Sequence, residues 1–162
     1  MPPADELEWY LTQLAEVLGH ADRHAGLRDY CRGLLLPIAR KSIEPIVAHL
    51  DPERVPAKHQ ALHHFVAKSP WSDEAVLRKV REIVFPHLAL DEACYWIVDE
   101  TGIPKQGRHS VGVARQYCGQ VGKTENCQVA VSLLVASEKG SLPIAFRLYL
   151  SAPMVNVRKT PV

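Results

Sequence analysis

No two of the four cysteines, Cys31, Cys94, Cys118 and Cys127, stand at C-x-x-C spacing, which argues against a structural zinc site. Nor do they suggest a disulfide framework, so reduced thiols in a cytoplasm are expected. Cys94 and Cys127 fall in apolar, strand-like runs and read as small buried hydrophobes. No G-x-S-x-G elbow is present for a serine hydrolase. Gly122-Lys123-Thr124 ends like a phosphate-binding loop, but Tyr117 stands where its first glycine is needed. A strand pattern rather than a helix follows, which removes nucleotide hydrolysis. His20/His24 and His59/His63 are spaced for one helix face, yet neither pair encloses the glutamate of H-E-x-x-H. No apolar run approaches a membrane span. The acidic start, MPPADELEWY, lacks the charged and apolar regions of a signal peptide. There is no internal repeat and no low-complexity segment.

The 162 residues suit one domain, or one small domain plus part of another. Net charge is only +1, but it is unevenly spread: residues 1–95 carry 11 Lys/Arg against 14 Asp/Glu, and residues 96–162 carry 8 against 4. The positive excess of the second part favours an anionic partner there.

Residues 5–85 read as four or five short helices. Asp5 is a plausible N-cap for a stripe of Leu7, Leu11, Leu14 and Leu18, which Gly19 ends. A second periodic stretch starts near Leu27 and is divided by Pro37. A short helix follows Glu44-Pro45, another covers 57–67, and Ser72 caps a last one running from Glu74 to Val84. Such a bundle can bind DNA, place a nuclease domain or hold subunits together. Residues 86–92 form a connector. Beyond it, Cys127 to Val135 and Leu142 to Leu150 alternate cleanly around a Gly-containing turn at 137–141, an antiparallel hairpin. With a strand at 93–98 the count is three. Residues 119–126 read as a loop, and the pattern is lost after 150. The pattern divides the chain into 1–90, helical, with DNA binding as one role; 91–150, an incomplete sheet domain; and a divergent tail, 151–162.

The stretch Ala93 to Tyr117 organises the rest. Cys94-Tyr95-Trp96-Ile97-Val98 reads as a buried strand. Asp99 and Glu100 then stand at its C-terminal end, and Thr101-Gly102-Ile103-Pro104 breaks it. A carboxylate at such a strand tip needs a partner or a cation. The basic, Gly-rich loop that follows, with Lys105, Arg108 and Arg115, suits phosphate. The structural alternative is that Asp99 merely starts the turn.

Within this stretch and beyond it, Asp99-Glu100-Thr101-Gly102, Lys105-Gln106-Gly107, Ser110 to Tyr117, Asn126 to Val131 and Leu148-Tyr149-Leu150 form one long pattern. It resembles the DDE-type insertion-sequence transposases, in the branch with D-[DE]-T-G, S-V-G-V-x-R-Q-Y and N-C-Q-V motifs. Tyr30 to Leu35, Arg40-Lys41-Ser42 and Trp71 extend the likeness to the helical region, so that it covers about residues 27–150. The resemblance implies an α+β protein: an N-terminal helical bundle, then the first three antiparallel strands of an incomplete ribonuclease-H-like sheet. It implies DNA cleavage and joining at transposon ends with Mg²⁺ (or Mn²⁺), held by several carboxylates. Asp99 matches the first catalytic aspartate and metal ligand. Glu100 points the other way by the period of two. Lys105, Arg108 and Arg115 are the candidate DNA contacts.

The family's second aspartate and its glutamate have no counterpart in Ser151 to Val162. The expectation is a C-terminally truncated or frameshifted transposase, cytoplasmic, inactive alone and holding Mg²⁺ poorly. Its partners would be transposon-end DNA and a second copy or a full-length transposase, with no membrane partner. The alternative is a non-catalytic DNA-binding or subunit-binding fragment that interferes with the full-length enzyme.

Overall fold

A computed structural model describes residues 3–88 and 93–150. The tail at 151–162 and most of the expected connector lie outside the described residues. The chain divides into two compact units, residues 1–80 and 81–162.

The first unit is helical. Helix α1 (Pro3–Glu16) buries Leu11, Leu14 and Ala15, with Leu18 just beyond its end. It starts before Asp5, which therefore lies in the first turn, where a negative charge suits the helix dipole. Gly19, at φ +77°, turns the chain away. Helix α2 (Asp22–Leu35) begins earlier than the expected Leu27 and stops before Leu36, which Pro37 forces into an extended conformation. Helices α3 (Ile43–Leu50) and α4 (Val55–Ala67) contribute Ile46, Val47, Leu62 and Phe65 to the core. The expected cap of α5 (Asp73–Val84) is present, with Ser72 Oγ accepting from the Ala75 amide at 3.2 Å. Ion pairs tie α1 to α2, through Glu8 and Arg32 at 2.6 Å, and α4 to α2, through Lys58 and Asp29 at 2.6 Å. Among the described residues no helix is long and apolar enough to cross a membrane.

The second unit is an antiparallel sheet built on one long strand. Its strands are β1 (Tyr95–Pro104), β2 (Ala114–Cys118), β3 (Lys123–Ser137) and β4 (Gly140–Leu148). Strand β3 pairs with all three others: β1 along one edge, β2 and then β4 along the other. The α+β reading therefore holds, with four strands rather than three among the described residues. Half of the loop expected at 119–126 is strand, because β3 begins at Lys123 and a tight turn from Gly119 to Gly122 joins it to β2. The β3–β4 turn is shorter than expected, since Ser137 already pairs with Gly140.

Two further expectations are corrected. Thr101 to Pro104 does not break β1: the strand runs through to Pro104, opposite Cys127. Strand β3 is long enough to template all ten residues, and proline is tolerated because β1 is an edge strand. Nor is the apolar run of β1 buried. Tyr95, Trp96, Ile97 and Val98 are 61%, 66%, 44% and 71% exposed. They alternate between two faces, and both faces are open at this end. Cys94 is likewise exposed, whereas Cys127 is buried as expected. Burial pushes the Cys127 thiol up, so it stays neutral.

Gly102 explains why β1 tolerates glycine in mid-course. Cys118 comes down onto it, and a Cβ there would lie 2.9 Å from Cys118 Sγ and 3.2 Å from Cys118 Cα. Cys118, Cys127 and Val129 form the buried cluster beside it. Gly102→Ala should therefore destabilise the protein by about 1–3 kcal/mol, the usual range for overpacking. Gly107→Ala, with nothing within 4 Å, should be near neutral. Urea denaturation of both variants checks this, and equal stabilities would contradict the close approach.

Candidate functional site

Asp99 lies in the middle of β1, opposite Ser132 of β3. The turn-starting alternative is excluded, because the chain continues as strand for five more residues, to Pro104. Side chains directly opposite each other in an antiparallel pair share a face. Asp99 therefore stands beside Ser132, and beyond Ser132 comes Phe146 of β4. Asp99 is exposed, and its backbone carbonyl accepts from Ser132 Oγ at 3.4 Å. Glu100 is opposite Val131, on the other face.

The basic loop between β1 and β2 is fastened to the Asp99 side of the sheet. Gln128, which shares that side, donates from Nε2 to the Val111 carbonyl at 2.5 Å. The amide of Val113 closes a turn onto Ser110 at 3.1 Å, and Val113 is buried. Gly112, at φ +76°, presses against Leu148, whose Cδ2 would lie 2.8 Å from a Cβ. Only glycine meets both demands, the positive φ and the missing side chain.

Beyond this anchor, an open cavity of about 340 Å³ is lined by Arg108, Val113, Ala114, Arg115 and Asn126. Two of the three sequence-predicted basic residues thus meet. Lys105 is not in the lining; its amide donates to the Asn126 carbonyl at 2.8 Å. Asn126 itself received no role from the sequence. Its signal is positional: it lies directly opposite Arg115, a relation visible only once β2 is recognised as a strand. The nearest acid is Glu125, whose side chain points to the opposite face. The Asn126 amide, then Lys123, hold its carboxyl below the usual carboxylate range.

Among the described residues the strand register leaves Asp99 as the only carboxylate on its side of the sheet. Among the described residues no group of three His, Cys, Asp or Glu side chains could hold a metal ion. A pair of Mg²⁺ ions needs carboxylates converging from several strands. The described residues do not fit such a centre, because Asp99 offers a single acid.

Comparison with known proteins bears on these observations. A family model described as DDE superfamily endonuclease matches residues 13–160. The chain is 34% identical over 119 residues to "Probable transposase for insertion sequence element IS701" of Microchaete diplosiphon. That match takes in 72% of this chain and 30% of the relative, so the chain spans less than a third of that protein's length. No solved structure matches. With most of its residues inside the family model, the chain belongs to the DDE superfamily endonucleases. The likeness to insertion-sequence transposases read from its motifs stands with it.

An exposed carboxylate without a partner contributes little to folding. Asp99→Asn should therefore change stability by less than about 0.5 kcal/mol. Thermal unfolding measures this, and a loss above about 1 kcal/mol would show that Asp99 helps hold the strand together.

Proposed function

We propose that this chain is part of a DNA transposase. In this reading Asp99 is the first catalytic carboxylate, and Lys105, Arg108 and Arg115 take up DNA phosphates. The substrate is DNA at transposon ends. What supports the reading most is the placement of an unpaired acid and an arginine-lined notch on one side of the β3 template, in a chain of the DDE superfamily. A divalent cation, Mg²⁺ or Mn²⁺, goes with the family's chemistry. Among the described residues Asp99 alone offers that cation a ligand, so in this reading the 162-residue chain by itself binds DNA and leaves it uncut.

The open apolar end of β1 favours a second reading. Tyr95 to Val98 present side chains on both faces, as a surface that meets another subunit would. A DNA-binding chain of this kind competes with a longer transposase, or joins it, without turning over.

Incubation of the purified chain with supercoiled DNA and Mg²⁺ or Mn²⁺ tests the first reading. The expected result is no nicking above the metal-free control. Metal-dependent cleavage that vanishes in Asp99→Ala would overturn the inactivity of the isolated chain and would establish Asp99 as catalytic.

A further inference from the structure

We propose that Arg108, Arg115 and Asn126 form a seat for one DNA backbone phosphate, separate from Asp99 and displaced from it along β3. The proposal rests on the DNA-binding reading above and adds to it a third, uncharged ligand and a distance.

The chemistry of the notch is that of an oxyanion site. Two guanidinium groups offer forked N–H donors that match phosphate oxygens. The Asn126 amide supplies further donors without charge. Among the described residues neither arginine takes part in an ion pair. Arg115 and Asn126 are fixed to one side of the hairpin by direct pairing. Arg108 enters from the loop held by Gln128 and Leu148. Val113 and Ala114 supply the apolar wall.

The spacing follows from the register. Asn126 and Ser132 lie six positions apart on β3, and Ser132 is the partner of Asp99. An even separation keeps both on one side. Fully extended, that span is about 20 Å, an upper bound here, because the bend that brings Cys118 (opposite Lys123) onto Gly102 (opposite Val129) shortens it. The notch, six strand positions away, therefore takes a phosphate other than the one that lies at Asp99. Along a duplex, with one phosphate per strand every 3.4 Å of axis, that span corresponds to at most roughly six base pairs. Arg108, Arg115 and Asn126 are positioning residues: they hold flanking DNA so that the strand runs along β3 toward Asp99.

Fluorescence anisotropy of labelled duplex DNA with the full 162-residue chain, across a KCl series, tests this. The slope of log affinity against log salt counts the phosphates neutralised. The double variant Arg108→Gln/Arg115→Gln should lower that slope by about one. Asn126→Asp, which puts a carboxylate in the notch, should weaken binding at least tenfold at low salt. Arg147→Gln serves as the control: Arg147 pairs with Val131 on the other side of the sheet and its loss should leave the slope unchanged. Circular dichroism melts establish that each variant is folded. If the wild-type chain binds and the notch variants match Arg147→Gln, the notch is not a phosphate seat, while the DNA-binding reading survives. If the wild-type chain fails to bind duplex even at low salt, both fall together.

Discussion

Backbone pairing along β3 is the constraint on which the second unit depends. This one strand supplies hydrogen-bonding partners to β1, β2 and β4, so its register decides which side chains share a side. A slip of one residue against β1 would carry Asp99 to the opposite face. The same slip against β2 would separate Arg115 from Asn126. Two features hold the register. Cys118, Cys127 and Val129 close one end around Gly102. At the other end a bulge falls between Leu133 and Leu134, where β4 carries Ile144 as an extra residue. The carbonyl of Ile144 accepts from Arg81 Nη1 at 2.7 Å, so the irregularity leaves no orphaned acceptor there.

Much of this architecture was legible in the residues. The helical stripe of Leu11, Leu14 and Leu18, the Ser72 cap and the alternation of Val129 to Val135 each have one strong local cause, either apolar period or cap chemistry. What failed did so where tertiary pairing outweighs local preference. Gly102 and Pro104 punctuate a chain considered alone, but a long neighbouring strand carried β1 past them. Strand β2 was missed because Ala114 to Cys118 is short and mixes Arg, Gln and Tyr without a clean apolar period. That omission also hid Asn126. The family was legible from long contiguous motifs, and the opposite facing of Asp99 and Glu100 followed from the period of two. The meeting of Arg108 and Arg115 was not, since it depends on a loop fastened by a glutamine and a leucine from other strands.

The two units carry their apolar surface differently. In the helical unit Leu11, Leu14, Leu18, Ile46, Val47 and Leu62 are buried, Leu34 and Leu35 at the end of α2 are exposed, and charged pairs decorate the outside. In the sheet unit the compact cluster of Cys118, Cys127 and Val129 sits at one end, while the aromatic and branched residues of β1 remain in water. Among the described residues β1 is an edge strand with exposed apolar side chains, and such an edge invites a partner. Among the described residues, the same region presents one acid where metal-assisted phosphoryl transfer uses several, with Arg108 and Arg115 some distance away along β3.

That imbalance is the centre of the account, and metal affinity reports on it directly. Calorimetric titration of the 162-residue chain with Mn²⁺ should show no saturable site tighter than millimolar, and Asp99→Asn should leave the trace unchanged. Stoichiometric Mn²⁺ binding at micromolar concentration, abolished in Asp99→Asn, would mean that further ligands in this chain join Asp99, and the account would be wrong.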